Sequence, residues 1–352
     1  MSVGFQAVQW NRFKIGYDIV LWGGSVAVMS AFIVLTASNQ PAGESFHPVQ
    51  LVLRALAFTA FTLLHITLAI GPLARLSDRF KPLLYNRRHL GVTVFVFGLL
   101  HAALATLWYH GFSPENPLVS ILATNPNYDR LYGFPFEALG LGALLVLFVM
   151  AATSHDFWLE FLGAPIWKAL HMLVYPAYGL LVAHVALGAM QGETSILFPG
   201  ALLAGAALLS LLHLSASGIE WAKDRSGTQE SVEGWLNAGP ANAIPEGRAV
   251  ILTPAGSERI AVFRDGARIA ALSNVCKHQN GPLGEGRVVN GCAVCPWHGW
   301  EYRLEDGRAP APFTEKIATY RVKIRSGEVF VDPQALPPGT PSEPALIEEG
   351  HP

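Results

Sequence analysis

Two short stretches carry the residues of this chain best suited to chemistry. They are Cys276-Lys277-His278 and, after a gap of sixteen residues, Cys295-Pro296-Trp297-His298. Two thiolates and two imidazoles at this spacing suit a [2Fe–2S] cluster, with Cys276 and Cys295 on one iron and His278 and His298 on the other. Such a ligand set holds the cluster at a higher potential than four thiolates do. A tetrahedral zinc site uses the same residue types, and reduced core cysteines are the third reading. Gly281 and Pro282 follow the first pair and Gly299 follows the second, so each loop can turn tightly and bring backbone N–H groups near sulfur. Cys292 has no disulfide partner if the other two cysteines bind iron, and reads as a small buried or edge residue.

The flanks must hold those loops. Residues 258–266 and 268–273 alternate like paired strands about a glycine turn, and 318–324 and 328–331 alternate again after the second loop. The two loops and their flanks resemble the Rieske ferredoxin family over roughly residues 233 to 335. The continuations Gly281-Pro282-Leu283 and Pro296-Trp297-His298-Gly299-Trp300 carry the resemblance, and zinc sites seldom need them. The resemblance implies an all-β domain holding a [2Fe–2S] cluster on Cys276, His278, Cys295 and His298. Respiratory quinol-oxidising relatives tie their loops with an additional cysteine pair, which this chain lacks. That lack is compatible with a reducing compartment. In high-potential members a serine hydroxyl after the His-Gly donates to a bridging sulfide, whereas Trp300 stands here and Tyr302 keeps a second donor position. Fewer donors stabilise the reduced cluster less, so the expected potential lies toward the lower end of the Rieske range.

The rest of the chain is of another kind. Of its 352 residues, 51% are hydrophobic and only 14% charged, about half the usual charged share, which points to membrane. The net charge of −2 and the lack of a basic stripe give no case for nucleic acid. Six apolar runs, near 17–37, 51–74, 90–109, 136–153, 169–190 and 196–216, approach the roughly 20 residues a bilayer span takes. Arg12 and Lys14, then Arg75, Arg79, Lys81, Arg87 and Arg88, then Lys223 and Arg225 mark one side, while the opposite loops hold only Arg130. Both termini and the Rieske domain are therefore expected in the cytoplasm, with the helices in a bacterial inner membrane. The expected layout is a six-helix transmembrane haem-binding domain (1–217), a polar linker (218–235), the Rieske domain (236–335) and a disordered Pro- and Glu-rich tail (336–352).

Of the five histidines within the apolar runs, four are the candidates: His65, His101, His171 and His184. An ionisable group in hydrocarbon is costly and faces a partner in the bundle, as a haem ligand or proton relay does; a satisfied packing histidine is the bland alternative. Arg87-Arg88-His89-Leu90-Gly91, Leu100-His101, Leu162-Gly163, Trp167-Lys168-Ala169-Leu170-His171 through Tyr175, and Ala183-His184 resemble the ferric reductase-like transmembrane domain. They are similar in pattern to the haem-binding membrane subunit of the periplasmic methionine sulfoxide reductase system. The likeness runs over about residues 45 to 190 and implies a b-type cytochrome with His101, His171 and His184 as haem ligands. His65 lies outside that pattern and makes a fourth candidate, enough for two bis-histidine haems.

Depth within the spans pairs His101 with His184 near the outer half. His65 and His171 differ in depth by about 10 Å at 1.5 Å per residue. On one ideal helix His171 and His184 would point about 140° apart, an objection that a kink at Pro176 eases. One haem b or two are both open. His89, His110 and His155 read as solvated interfacial residues, Asp18 and Glu137 as facing headgroups, and Arg54, Arg87 and Arg88 as interfacial or topology charges with haem propionates as the alternative. His213 sits late in the last span, and His47 and His351 in a loop and the tail.

The expected function is a membrane oxidoreductase passing electrons between a cytoplasmic Rieske cluster and one or two b haems, outward to the far side. No Gly-x-Gly-x-x-Gly follows a strand, so a soluble cytoplasmic reductase or ferredoxin must act as donor. The acceptor classes are ferric chelate, quinone or a redox protein, with 110–135, the longest outer loop, as the docking surface. The alternatives are a membrane-anchored ferredoxin donating to a cytoplasmic oxygenase, and a redox sensor.

Overall fold

The computed structural model describes residues 12–39, 47–84, 86–191, 196–225, 234–254, 257–278, 280–297 and 299–347. The chain divides into two compact units, with the boundary between Leu214 and Ser215, inside the last helix.

The first unit is helical: α1 Arg12–Ser38, α2 Pro48–Leu76, α3 Lys81–Leu84, α4 Arg87–Ala105 with a π turn Thr106–His110, α5 Pro117–Ala123, α6 Phe136–Ala152, α7 Asp156–His171, α8 Val174–Leu187 and α9 Leu197–Arg225. Local chemistry starts several of these. The His47 ring accepts from the Val49 N–H ahead of Pro48, and Asn116 Oδ1 accepts from the Leu118 N–H ahead of Pro117. Each side chain thus satisfies an orphan donor, and each proline sits where no N–H is needed. On α2 the buried Leu53, Leu56, Leu63, Leu64 and Leu68 form a stripe at helical spacing against α4, whose own buried face is Leu90, Val94 and Phe97. Much of the remaining surface is apolar, with Val20, Leu35, Leu203 and Leu214 more than half exposed, as in a helix set solvated by lipid.

Among the described residues, five stretches are long and apolar enough to cross a membrane: Lys14–Ser38, Pro48–Leu76, Arg87–His110, Ile166–Leu187 and Leu197–Ala222. Phe136–Ala152 is apolar but shorter. The expectation of six helices needs correction. Seven helices of fourteen residues or more occur among the described residues, because α7 fills most of the expected connection between 153 and 169 and the chain then breaks before α8. Asp156 and Glu160 put charge into the first half of α7, outside the apolar runs, and His155 caps the helix by accepting from the Phe157 N–H. The break falls at Met172 and Leu173. Pro176 has no N–H to offer the Met172 carbonyl four residues back, so the ladder cannot run through. His171 and His184 therefore stand on different helices, and the single-helix phase argument does not apply.

The second unit is β: β1 Leu236–Pro240, β2 Ala249–Leu252, β3 Ile260–Asp265, β4 Arg268–Ser273, β5 Arg287–Val289, β6 Cys292–Val294, β7 Glu301–Arg303, β8 Thr319–Tyr320, β9 Val322–Arg325, β10 Glu328–Val331 and β11 Ala345–Leu346. Among the described residues these form three antiparallel sheets: β1-β10-β9, then β11-β4-β3-β2 with β8 also on β4, and β5-β6-β7. The β3–β4 hairpin turns on Gly266-Ala267, with Gly266 at φ +63°, the glycine that the first central position of such a two-residue turn takes. Both faces of this hairpin are covered. Ile260, Val262, Ile269 and Ala271 enter one core with Leu236, Ile244, Val329 and Val331, while Ala261, Phe263, Ala270 and Leu272 enter another with Leu283, Trp300, Tyr302 and Ile317. The side-chain period of two thus feeds two cores from one hairpin.

The tail departs from expectation. Residues 336–347, expected to be disordered, run as a strap along the β unit, while 348–352 lie outside the described residues. The Leu336 N–H donates to Thr319 O, Gly339 to Ile317 O, Ser342 to Glu305 O and Ile347 to Ala267 O, and β11 pairs with β4. Proline-rich composition removes donors, but an extended segment laid on an edge needs only some of them.

Candidate functional site

The β unit holds the first site at the ends of its smallest sheet. Cys276 and His278 lie on the loop between β4 and β5, Cys295 on the loop between β6 and β7. Cys276, Cys295 and His278 are all buried. His298 lies outside the described residues. The first loop is closed by Cys276 N–H donating to Gly281 O (3.0 Å) and Asn280 N–H donating to Cys276 O (2.7 Å). The second is closed by Cys295 N–H to Trp300 O (2.8 Å) and Gly299 N–H to Cys295 O (2.9 Å). The loops meet at Gly281, where a Cβ would stand 2.7 Å from Cys295 Sγ and 3.1 Å from the Trp297 ring. Only glycine fits there.

Tyr302, fully buried on β7, places its hydroxyl 3.7 Å from Cys276 Sγ and accepts from the Lys277 N–H at 3.0 Å. The hydrogen bond with Cys295 brings the Cys276 thiol down to about 7, against the opposing effect of burial, with the Tyr302 hydroxyl adding to the lowering. Burial raises Tyr302, keeping its proton available for donation. Two adjacent, buried, unbridged cysteines inclined to ionise fit metal ligation. Among the described residues no three His, Cys, Asp or Glu side chains form one metal-binding group. A two-iron centre needs none, since it asks for two thiolates on one iron and two imidazoles on the other. Cys292 stands apart, paired with Val289 and Arg303 across the sheet, and burial raises its thiol.

The helical unit holds the second site. His101 on α4 and His184 on α8 face each other with ring centres 6.3 Å apart and planes at 80°. Each ring donates from Nδ1 to a main-chain carbonyl, His101 to Leu53 at 3.1 Å and His184 to Phe136 at 2.8 Å. These bonds fix the tautomer and leave both Nε2 lone pairs for a metal. Two imidazoles across one iron need about 2.0 Å of bond and about 1.2 Å of ring radius on each side, roughly 6.4 Å in all. The residues present therefore fit a bis-histidine haem. Gly140 makes room for the pair, because a Cβ there would come within 2.8 Å of the His184 ring.

The other two candidates are not brought together. His65 donates from Nδ1 to Phe61 O and accepts at Nε2 from the Tyr178 hydroxyl at 2.9 Å, with Gly205 of α9 close by. His171 donates to Trp167 O at 2.9 Å and stacks on the Trp167 indole at 3.8 Å. Its Nε2 is buried without a hydrogen bond of normal geometry.

Sequence reasoning missed Gly140 and Tyr178, for which no local signal exists, and quoted Trp167 as part of the family pattern without its stack on His171. It also needs correction at one interfacial residue. His110 is not solvated but buried, bonded to Ser120 Oγ at 2.8 Å and Glu137 at 3.2 Å, because the π turn re-aims it inward. Asp18 accepts from the His89 ring at 2.8 Å, a pairing across 71 residues that local pattern does not give.

Comparison with known proteins agrees with this division. Residues 234–321 match the family described as Rieske [2Fe-2S] domain, and residues 53–182 match the ferric reductase like transmembrane component. The chain is 34% identical over 105 residues to the 3-phenylpropionate/cinnamic acid dioxygenase ferredoxin subunit of Escherichia coli (strain K12), covering 97% of that subunit and 29% of this chain. It is 40% identical over 80 residues to the anthranilate 1,2-dioxygenase ferredoxin subunit of Burkholderia cepacia, covering 73% of it and 22% of this chain. Among solved structures, the Sphingomonas yanoikuyae B1 ferredoxin is 27% identical with a TM-score of 0.26, over 28% of this chain and 97% of that one.

Proposed function

Since the chain belongs to the Rieske [2Fe–2S] ferredoxin family and carries a ferric reductase-like transmembrane component in the same polypeptide, we propose that it is a membrane oxidoreductase. It moves single electrons between its C-terminal loops and a haem b site at His101 and His184. The observation that carries the reading is the facing pair of imidazoles, anchored at Nδ1 and spaced for one iron, inside helices of membrane-spanning character. Bound there, haem supplies one-electron chemistry within a helix bundle.

The chain's own residues do the holding. Cys276, His278, Cys295 and His298 are the proposed cluster ligands, with the Tyr302 hydroxyl turned toward Cys276 sulfur. His65 and His171 have neighbours of their own, so one haem is the simpler assignment. A second at that pair would require His65 Nε2 to give up the Tyr178 hydroxyl. The lysine and arginine bias supports cytoplasmic termini and a cytoplasmic Rieske domain in a bacterial inner membrane. Electrons then enter from a soluble cytoplasmic reductase or ferredoxin and leave outward to ferric chelate, quinone or a redox protein.

A second reading has its own support, since the relatives above are dioxygenase ferredoxin subunits matched over most of their length. On it the chain is a membrane-anchored ferredoxin serving a cytoplasmic oxygenase. Purified full-length protein in proteoliposomes decides between them. Cluster reduction from the cytoplasmic side followed by haem reoxidation on adding an impermeant ferric chelate outside supports the first reading. Absence of Soret absorption ends it.

A further inference from the structure

We propose that Trp300 is a positioning residue for His278, fixing the plane of that ligand's imidazole and sealing one face of it from water. This deepens the Rieske assignment and rests on it. The indole and the imidazole lie parallel to within 2°, with ring centres 4.4 Å apart. Phe313 packs on the indole at 4.3 Å and 53°, so Trp300 is wedged between two rings. Both members of the stack are buried, Trp300 to 5% exposure and His278 to 7%.

The main chain gives the same residue a second attachment. Its carbonyl accepts the Cys295 N–H at 2.8 Å, and Gly299, at φ +70°, lets the chain turn into that position. Trp300 is thus tied through its backbone to the thiol ligand of the second loop and through its side chain to the imidazole ligand of the first. No disulfide links the loops, since Cys276, Cys292 and Cys295 form none. This stack joins them without a covalent bond.

An imidazole bound through one nitrogen still turns about the metal–nitrogen bond. An aromatic slab against its face removes that freedom and excludes water from it. Reduction adds a negative charge, which a dry surround stabilises less than a wet one, so the stack holds the potential down. This cause is separate from the missing hydroxyl donor at the same position.

The test uses the full-length protein, with iron content, electron paramagnetic resonance of the reduced cluster, pulsed measurement of ligand-nitrogen couplings and a redox titration. Trp300→Ala is expected to keep full iron content, shift one of the two nitrogen couplings, broaden the g-value spread and raise the midpoint potential. Trp300→Phe, which keeps a ring against the imidazole, is expected to return most of each change. A fully loaded Trp300→Ala protein with wild-type couplings and midpoint overturns the proposal. If Trp300→Ala fails to load iron, Trp300→Leu is read in its place: a shift carries the proposal, and wild-type values sink it. Wild-type protein without two ligand-nitrogen couplings would instead remove the Rieske assignment, which separates the two failures.

Discussion

His101 and His184 present their rings to each other from α4 and α8 at 6.3 Å with planes 80° apart, each held by a main-chain carbonyl. Were the pair to hold a haem as proposed, ligand planes so nearly perpendicular would leave two iron orbitals close in energy. The ferric protein should therefore give a highly anisotropic low-spin signal, and His101→Ala or His184→Ala should abolish both it and the Soret band. Either variant with an unchanged spectrum removes this pair as ligands.

Gly140 should tolerate no side chain. A Cβ 2.8 Å from the His184 ring must push it off the Phe136 carbonyl, and loss of such outer partners typically weakens metal binding about 10- to 100-fold. Gly140→Ala should lower haem occupancy on dilution while Gly179→Ala, in open space, should not. Equal occupancy in the two variants would contradict the seating of His184.

Removing the Tyr302 hydroxyl should lower the cluster potential. Its donation to Cys276 sulfur favours the more negative reduced state, and one hydrogen bond of about 1.4 kcal/mol corresponds to about 60 mV for one electron. Tyr302→Phe also leaves the Lys277 N–H without its acceptor, a loss of roughly 1–3 kcal/mol in stability. A redox titration showing no fall, or a rise, would exclude the hydroxyl as a donor.

Iron-free protein should lose stability on acidification through a defined window. The Cys276 thiol is lowered to about 7 from an ordinary 9.0, chiefly by the Cys295 hydrogen bond. A depressed value means that the contribution is present in full above about pH 9 and is lost as pH falls toward 7, at most roughly 2–3 kcal/mol. Denaturation midpoints measured across that window should slope upward with pH, and Cys276→Ser should flatten the slope.

His110→Leu should destabilise the helical unit without touching the haem spectrum. It strips Ser120 and Glu137 of their imidazole partner in a half-enclosed site, a loss of about 1–3 kcal/mol. Thermal melts monitored by circular dichroism give the first quantity and the Soret band the second. A wild-type melting temperature would make the contact incidental.

The sequence by itself determined the kinds of chemistry available. Cys276, His278, Cys295 and His298 are close neighbours along the chain, so their types and spacing announce a cluster locally, and alternation about Gly266 does the same for the hairpin beneath it. Apolar runs likewise announce spans, because a bilayer reads composition and length. Only the tertiary structure decided pairing. It put His101 opposite His184 across 83 residues of chain, gave His65 to Tyr178 and brought Trp300 onto His278. Local pattern flagged a kink at Pro176 but not two separate helices there, and it gave neither the inward turn of His110 nor the strap from 336 to 347. These depend on which carbonyl, ring or strand edge comes within reach once helices and sheets pack, and distance along the chain carries no record of that.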